Sequence, residues 1–372
     1  MSSNRAYRYD HDQRIVLTLD AGGTNMVFSA IRSNQEIVMP YCLPTRADDL
    51  TQCLKNMVDG FTYIWKQLPK APSAISFAFP GPADYKNGII HDLPNFPSFR
   101  GGVPLGCFLE EHFQIPVFIN NDGNLFAYGE ALSGALPNLN RRLQSLGHSQ
   151  EYRNLIGITF GTGFGSGVVI NNHLLTGDND CGGDVWLYRN KLFPDLIAEE
   201  SVSIRAILRV YHEFVGKADD TLTPSDIFCI AEGGMAGNQQ AAQASFARFG
   251  EVAGDVIAHQ LMFADGIVVL GGGIMGASKY IMPALLQEMH SKLGTFSGAK
   301  FDRLPMQLID ADNDRQFNDS LAQKPIKISV PNTNRTVDYN PIKKTFIMKT
   351  LLGTSKAVSL GAYAYALHSL GN

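Results

Sequence analysis

The sequence predicts an α/β protein of two domains with space for a ligand between them. A chain of 372 residues is longer than one ordinary hydrophobic core requires. Short apolar runs rich in Val, Ile and Leu alternate with helical patterns along its length. A unit of strand, Gly/Thr turn and strand also occurs twice, from Arg14 and from Leu155. This recurrence indicates an internal duplication in which each half supplies one glycine loop.

Composition limits the kinds of partner. The formal net charge of -4 argues against nucleic acid, which recruits surfaces rich in Lys and Arg. No apolar run reaches the roughly 20 residues of a membrane span, and the polar N-terminal residues do not form a secretory signal. The five cysteines are scattered and none forms a CxxC pair, which favours reduced thiols and offers no zinc site. We therefore expect a cytoplasmic protein with no membrane or nucleic-acid partner.

The first glycine turn joins two strands. In P-loop and Rossmann proteins the corresponding glycines lead from a strand into a helix, so neither of those folds is favoured. Further along, Pro80-Gly81-Pro82 ends a strand, and a helical pattern begins at Gly123. The elements predicted in this half are strands at Arg14–Asp20, Thr24–Ile31, Glu36–Met39, Ala74–Phe79 and Val117–Asn120 and a helix at Asp49–Leu68.

The second half repeats the opening pattern and adds two long helices. Asn171-Asn172 suits a tight hairpin turn because Asn tolerates positive φ. The region from Phe301 to Lys344 is polar, and we interpret it as an irregular insertion that forms a lid or an oligomer contact. The elements predicted here are strands at Leu155–Phe160, Val168–Ile170 and Gly266–Leu270 and helices at Ala198–Val215 and Gln239–Phe263.

Three glycine-rich turns each follow a buried strand: Asp20-Ala-Gly-Gly-Thr-Asn25, Gly161-Thr-Gly-Phe-Gly-Ser-Gly167 and Gly271-Gly-Gly273. Glycine lets backbone amides approach phosphate oxygens, and concave runs of amides bind anions. Any one such turn could simply connect two strands, but three in this order indicate a nucleotide site. Asp20 lies at a strand end beside the first turn, where its carboxylate could hold Mg²⁺ through water.

Asp122 is the candidate catalytic base. It follows a strand and precedes a helix, with Asn120, Asn121 and Asn124 beside it. A sugar hydroxyl is a poor nucleophile, so phosphoryl transfer needs a carboxylate that accepts its proton. The alternative is that Asp122 is only the N-cap of the following helix. Asn side chains can orient sugar hydroxyls, so the polar cluster favours the catalytic interpretation.

Together these motifs resemble the ROK family (repressor, open reading frame, kinase) of the actin, Hsp70 and sugar-kinase superfamily. The resemblance covers most of the chain from Arg14 and implies two actin-like (ribonuclease H-like) α/β domains with a ligand cleft between them. The smaller domain would comprise residues 14–121 and 360–372, and the larger one residues 122–359. By the same resemblance we expect a homodimer that uses ATP and Mg²⁺.

The resemblance also implies roles for individual residues. Pro80-Gly81-Pro82 and Pro94-Asn95-Phe96-Pro97 look like sugar-side loops, and Asp122 occupies the place of the base. The residues implied to bind ATP and its phosphates are Asp20, Gly22, Gly23, Thr24, Asn25, Gly161, Thr162, Gly163, Gly271, Gly272 and Gly273. The residues implied to bind the sugar are Gly81, Asn95, Asn121, Asp122, Asp184 and Glu199, with Glu200 as the alternative to Glu199.

Two departures from the family pattern affect the sugar side. Family members carry a Gly-Glu-x-Gly-His segment, where this chain has Cys181-Gly-Gly-Asp-Val-Trp186. Asp184 therefore replaces the usual Glu. Trp186 lies near the position of the missing His and is either a core residue or a ring that stacks on the sugar. The family's cysteine-rich zinc motif is also absent, replaced by Arg189–Ile197.

We therefore expect an ATP-dependent kinase that phosphorylates a hexose or N-acetylhexosamine. One alternative is a sugar-responsive transcriptional regulator of the same family, although the residues before Arg14 are too few for a helix-turn-helix module. Another is a sugar-binding protein without turnover, which the altered pocket allows.

Overall fold

A computed structural model describes residues 9–93, 96–219, 221–322 and 325–371. The predicted sugar contact Asn95 lies outside the described residues, with Pro94 beside it. Within the described part of the chain, the helices are α1 (Leu50–Trp65), α2 (Leu105–Phe113), α3 (Asp122–Ser133), α4 (Ala135–Ser145), α5 (Ile204–Val215), α6 (Pro224–Ala231), α7 (Gln239–Ala264), α8 (Ser278–Met289), α9 (Asp314–Leu321) and α10 (Thr354–Ser369). No described helix is long and apolar enough to cross a membrane.

The strands confirm most of the sequence predictions. They are β1 (Val16–Ala21), β2 (Asn25–Arg32), β3 (Gln35–Glu36), β4 (Tyr41–Pro44), β5 (Ala74–Ala78), β6 (Ala83–Asp84), β7 (Ile89–Ile90), β8 (Val117–Asn120), β9 (Leu155–Phe160), β10 (Phe164–Ile170), β11 (His173–Leu174), β12 (Ile267–Gly271), β13 (Lys292–Gly294), β14 (Lys300–Asp302), β15 (Gln307–Asp310), β16 (Ile326–Ser329), β17 (Thr336–Tyr339) and β18 (Lys344–Lys349).

The chain divides into two compact units. The first contains the described residues up to Gly157, then Ser166–Asp184 and the chain from Thr350 onward. The second contains Ile158–Gly165 and Val185–Lys349. These limits differ from the predicted domains 14–121 plus 360–372 and 122–359. The first unit extends beyond residue 121 because α3 packs closely against α10.

A mixed sheet forms the centre of the first unit. Its strand order is β3-β2-β1-β5-β8, and β4 pairs with β2. β1 pairs with β2 in antiparallel fashion but runs parallel to β5, which in turn runs parallel to β8. Apolar residues of α1 cover one face of the sheet, including Met57 and Phe61, which are fully buried. The sheet therefore directs the carboxyl ends of β1, β5 and β8 to one edge.

Glycine allows α3 and α10 to approach each other closely. A Cβ added at Gly129 would collide with the backbone of Ala357, and one added at Gly361 would collide with the backbone of Leu125. At the end of α3, the fully buried Glu130 carboxylate accepts the N–H groups of Ala135 (2.7 Å) and Leu352 (3.2 Å). The glycine contacts thus fix α3 against α10, and the hydrogen bonds of Glu130 fix the end of α3.

The second unit contains a parallel group of strands. β12 runs parallel to β18, and β18 runs parallel to β15. α7 packs against α5, α6 and α8, and buries residues along most of its length. The predicted helix Ala198–Val215 is wrong in one respect, because a short 3₁₀ turn at Ala198–Glu200 precedes α5.

The prediction of an irregular insertion over 301–344 is wrong for much of that region. β15 joins the parallel strands, and α9 follows it with Asn313 as N-cap, whose side chain accepts the N–H of Gln316 at 3.1 Å. The Asp and Asn residues that suggested irregular structure act as helix caps and turn acceptors there. The prediction of a third strand at Glu36–Met39 is also shifted, since β3 ends at Glu36 and β4 begins at Tyr41.

Candidate functional site

Three of the predicted loops leave the same edge of the first unit's sheet. Asp20 of β1 is in register with Ala78 of β5, and Ala78 is in register with Asn120 of β8. Because these strands are parallel, their following loops begin side by side. The loops that begin at Asp20, Pro80 and Asn121 are therefore neighbours, which is where ligands bind in parallel sheets.

Thr45 holds the first glycine loop in place through two hydrogen bonds. The Gly22 N–H donates to the Asn25 carbonyl at 3.0 Å, and a Cβ on Gly22 would lie 2.9 Å from that oxygen. The fully buried Thr45 donates its hydroxyl to the Gly22 carbonyl at 2.5 Å and its N–H to the Thr24 carbonyl at 2.9 Å. Gly22 to Asn25 are exposed, so the outer side of the loop is accessible.

The start of α3 places Asp122. The N-cap is Asn121, whose side chain accepts the N–H of Asn124 at 3.1 Å, so the alternative interpretation of Asp122 as only the N-cap is wrong. Asp122 is the first residue of the helix, and its Oδ1 accepts the N–H of Gly123 at 2.9 Å. Beneath it, the Oδ1 of buried Asn120 accepts the Asn124 side-chain amide at 3.0 Å. The amide cluster therefore fixes the backbone that carries Asp122.

The surroundings make Asp122 a stronger base than an ordinary carboxylate. Part of its surface is exposed, yet desolvation by the surrounding protein raises the pKa of Asp122. The Gly123 N–H opposes this rise, and the negative charge of Asp20 adds to it. Within the described residues, Asp20 forms no ion pair with a Lys or Arg. Its exposed carboxylate is therefore available to a cation.

The first turn of α3 is locked against β10 by a backbone contact. A Cβ on Gly123 would lie 2.5 Å from the Ser166 carbonyl oxygen and 2.7 Å from the Ser166 nitrogen. A Cβ on Gly167 would lie 2.6 Å from the Gly123 carbonyl oxygen. Only glycine allows this approach, and it sets the position of the neighbouring Asp122.

Tyr85 lies among the residues of the predicted sugar side. Its buried hydroxyl donates to the Phe79 carbonyl at 3.0 Å, and a Cβ on Gly81 would lie 3.0 Å from that hydroxyl. Burial raises the pKa of Tyr85, and the charges of Asp122 and Asp184 act in the same direction. Gly81 thus lies against Tyr85, and Asp122 and Asp184 are near enough for their charges to act on its hydroxyl.

Two further glycine loops meet within the second unit. Gly161 donates its N–H to the Gly163 carbonyl at 3.1 Å, which closes the turn after β9. Gly272 has a φ of 95°, and a Cβ there would collide with the Phe160 carbonyl oxygen. The loops at Gly161 and Gly272 are therefore in direct contact, whereas Gly161 and Gly273 have open space on their Cβ sides.

Glu199 lies beneath the loop at Gly161. Its Oε2 accepts the N–H of Phe164 at 3.0 Å, and its Oε1 lies 3.2 Å from the Arg205 guanidinium. A Cβ on Gly163 would lie 2.7 Å from Oε2. Glu200, the alternative to Glu199, also pairs with Arg205, at 3.3 Å. Glu199 is thus the carboxylate that supports the glycine loop.

Comparison with known proteins decides the family. A sequence model described as ROK family matches residues 16–185. A solved structure described as a glucokinase from Parabacteroides distasonis is 53% identical, with a TM-score of 0.86 over 97% of this chain and 99% of that one. The chain belongs to the ROK family. It accordingly has the two actin-like α/β domains that the sequence predicted.

Curated ROK relatives include both kinases and repressors. An N-acetyl-D-glucosamine kinase from Vibrio vulnificus is 24% identical over 316 residues, which cover 76% of this chain and 97% of that protein. A xylose repressor from Bacillus spizizenii is 34% identical over 144 residues, covering 38% of this chain and 33% of the repressor. A Thermotoga maritima glucokinase matches over 49% of its own length. The chain therefore matches half or less of the length of the repressor and of this glucokinase.

The structure separates the predicted ROK site residues into two groups. The first unit brings together the Asp20–Asn25 loop, Gly81, Asn121, Asp122 and Asp184, and the second brings together Gly161 to Gly163, Gly271 to Gly273 and Glu199. Trp186 is 38% exposed, so its interpretation as a core residue is wrong.

Sequence reasoning missed three supporting residues of the site: Thr45, Tyr85 and Arg205. Thr45 contacts a loop 23 positions away and Tyr85 contacts a carbonyl 6 positions before it, and no motif signals either residue. Arg205 could have been suspected, because it follows Glu199 and Glu200 at the start of a helix. Within the described residues, no group of three or more His, Cys, Asp or Glu side chains is placed to hold a metal ion.

Proposed function

We propose that this ROK protein transfers the γ-phosphoryl group of ATP to a hydroxyl of a hexose, with Asp122 as the general base. The observation that carries the proposal is the shared strand-end edge on which Asp20 and Asp122 lie, close enough for the charge of Asp20 to raise the pKa of Asp122. A carboxylate with a raised pKa is better matched to accepting a hydroxyl proton near neutral pH.

In this mechanism each side chain has a limited task. Asp122 accepts the proton of the sugar hydroxyl as the new oxygen–phosphorus bond forms and the bond to the leaving ADP breaks. Backbone N–H groups of the first glycine loop donate to phosphate oxygens, and Thr45 keeps that loop in shape. Within the second unit, the adjoining glycine loops at Gly161 and Gly272 are the proposed contacts for ATP.

Mg²⁺ fits the residues present. Asp20 offers an exposed carboxylate that no Lys or Arg neutralises in the described structure, and Mg²⁺ is usually bound by one or two carboxylates with waters and substrate phosphates. Asp20 would hold the ion through water, and the ion would neutralise charge on the phosphates.

Glucose is the first substrate to test, since the 53% identical structure is described as a glucokinase. N-acetylglucosamine is the second, on the likeness to the Vibrio kinase. Asp184 and the exposed Trp186, which stand where the family pattern has Glu and a neighbouring His, are the residues we expect to set the choice. Asn121 and Gly81 would contact the sugar from the strand-end edge.

The test is ADP release from Mg-ATP in the presence of glucose, N-acetylglucosamine, N-acetylmannosamine or xylose, with identification of the phosphorylated sugar. Sugar-dependent ADP release supports the kinase. A second candidate, a sugar sensor without turnover, is favoured by the likeness to the xylose repressor. Calorimetric binding of a sugar without any ADP release from the whole panel would support the sensor and exclude the kinase.

A further inference from the structure

The segment formed by residues 189–197 stands where the family pattern has its cysteine-rich zinc motif, and its own residues do not fit that metal. Structural zinc sites are built from Cys and His ligands. The segment contains neither residue type, and Asp195 is its single carboxylate. In the part of the chain that the structure describes, no group of three or more His, Cys, Asp or Glu side chains could hold a metal ion. The fold of this segment must therefore depend on its other side chains.

The side chain of Asn190 is the centre of the hydrogen bonds in this segment. It is fully buried. Its Oδ1 accepts the N–H groups of Leu192 (3.0 Å) and Phe193 (3.2 Å). Its Nδ2 donates to the Ile197 carbonyl at 3.2 Å and to the Ser201 hydroxyl at 2.8 Å. Because a side-chain amide offers two N–H donors and two acceptor lone pairs, every bond that this amide can make is formed.

Backbone hydrogen bonds close the segment around that amide. The Asn190 N–H donates to the Leu196 carbonyl at 3.0 Å, and the Leu196 N–H donates to the Phe193 carbonyl at 2.8 Å. At the ends of the segment, the Ala198 N–H donates to the Tyr188 carbonyl at 2.7 Å. Residues 189–197 are therefore a closed loop whose two ends are bonded together.

Lys191 fixes the same loop to two helices of the second unit. Its ammonium group forms ion pairs with Glu251 of α7 at 2.7 Å and with Glu288 of α8 at 2.5 Å. The side chain of Glu288 is 12% exposed, so this pair is partly shielded from water and salt. The loop is thus held against α7 and α8, and the bonds of the Asn190 amide act from a fixed position.

The Asn190 amide is connected to the Gly161 loop through Glu199. The two groups that accept from Nδ2 lie two positions before and two positions after Glu199 in the sequence. The Oε2 of Glu199 in turn accepts the Phe164 N–H at 3.0 Å, at the end of the Gly161 turn. The amide therefore fixes the backbone on both sides of Glu199, and the carboxylate fixes the glycine loop. All of these residues belong to the second unit.

We propose that Asn190 is a positioning residue for nucleotide binding, whose amide shapes the 189–197 loop without zinc and acts on the nucleotide through Glu199. Removal of the amide leaves buried N–H and C=O groups without partners, and this loosens the backbone that carries Glu199. The role in nucleotide binding rests on the proposed function, because that function assigns ATP to the Gly161 loop. The shaping of the loop by the amide is independent of it.

The first measurement is a double-mutant cycle on the dissociation constant of Mg-ATP, determined by calorimetry. Asn190→Ala and Glu199→Ala are each expected to weaken binding about tenfold, and the double variant no more than Glu199→Ala alone. Ser201→Ala removes only one bond of the amide, and it replaces Asn190→Ala in the cycle if that variant does not fold. It is expected to weaken binding about two- to fivefold in wild type and not at all in Glu199→Ala.

Asn140→Ala is the matched control. Asn140 makes a similar pair of loop bonds in the first unit, since it donates to the Tyr152 carbonyl at 2.8 Å and accepts the Tyr152 N–H at 2.9 Å. The variant is expected to lower the unfolding temperature and to leave ATP binding unchanged. A general loss of stability would instead weaken ATP binding in this control as well, and that result would overturn the positioning role.

The second measurement is the zinc content of the purified protein and its thermal unfolding with and without EDTA. We expect wild type to hold no stoichiometric zinc and to unfold at the same temperature in EDTA. Asn190→Ala, or Ser201→Ala in its place, is expected to unfold at a lower temperature that added zinc does not restore. A wild type that holds one zinc per chain and is destabilised by EDTA would overturn the shaping of the loop by the amide.

Additive effects in the cycle, or unchanged ATP binding in both Asn190→Ala and Ser201→Ala, would overturn the positioning role alone. A wild type that binds no nucleotide would contradict the proposed function itself. The zinc content and the unfolding temperatures do not depend on nucleotide binding, so the two failures are distinguishable.

Discussion

The contact between Gly123 and Ser166 offers a direct test of how Asp122 is placed. In a Gly123→Ala variant, the new Cβ would lie 2.5 Å from the Ser166 carbonyl oxygen, whereas ordinary contact begins at 3.4 Å. The helix start and the strand must therefore separate by about 1 Å. Overpacking of this kind costs about 1–3 kcal/mol of stability. A displacement of about 1 Å at a catalytic group costs up to about 10²-fold in rate.

We therefore expect Gly123→Ala to reduce kcat by about 10- to 100-fold while the protein still folds. The assay is steady-state ADP release with the best sugar, together with thermal unfolding of the same sample. Gly276→Ala is the matched control, because a Cβ there meets no atom within 4 Å. A Gly123→Ala variant with a wild-type kcat would refute the account of how Asp122 is positioned.

Three further predictions concern other parts of the first unit. Proton acceptance by Asp122 is lost as pH falls through its raised pKa, so Asp20→Asn, which removes a neighbouring negative charge, should shift the acidic limb of kcat/KM to lower pH. Thr45→Val removes the hydrogen bond to the Gly22 carbonyl and should cost about 1 kcal/mol, or about fivefold, in ATP binding, which Thr45→Ser should restore. Burial raises the pKa of Glu130, so its contribution to stability should decrease as pH rises from its ordinary value of 4.5 through the raised value. In urea unfolding across this pH range, the free energy of unfolding should depend less on pH in Glu130→Gln than in wild type. It should also be lower overall by about 1–3 kcal/mol, because N–H groups that Glu130 accepts are left unsatisfied.

Local patterns predicted the strands and turns that depend on neighbouring residues. The predicted strand at Val117–Asn120 is confirmed as β8. The predicted hairpin turn is confirmed as well, with φ of 51° at Asn171 and 63° at Asn172. Asn supplies the positive φ that a two-residue hairpin needs, so Asn171 and Asn172 are sufficient to predict this turn.

The supporting contacts of the site could not be predicted in the same way. Thr45 braces Gly22 across 23 positions, and Glu199 reaches Phe164 across 35. Such contacts depend on how whole elements pack, and no single residue type signals them. The prediction of an irregular insertion over 301–344 is wrong for a related reason. Asn occurs both in loops and at helix N-caps, so Asn313 by itself does not predict the start of α9.

The central claim is that Asp122 removes the proton from a sugar hydroxyl during phosphoryl transfer. The most direct measurement compares kcat for wild type and Asp122→Asn with the best sugar, while calorimetry confirms that both bind that sugar. The substitution keeps the shape of the side chain and removes its basicity, so kcat should fall by about 10²- to 10⁴-fold with sugar affinity retained. Equal kcat values in the two proteins would contradict the claim.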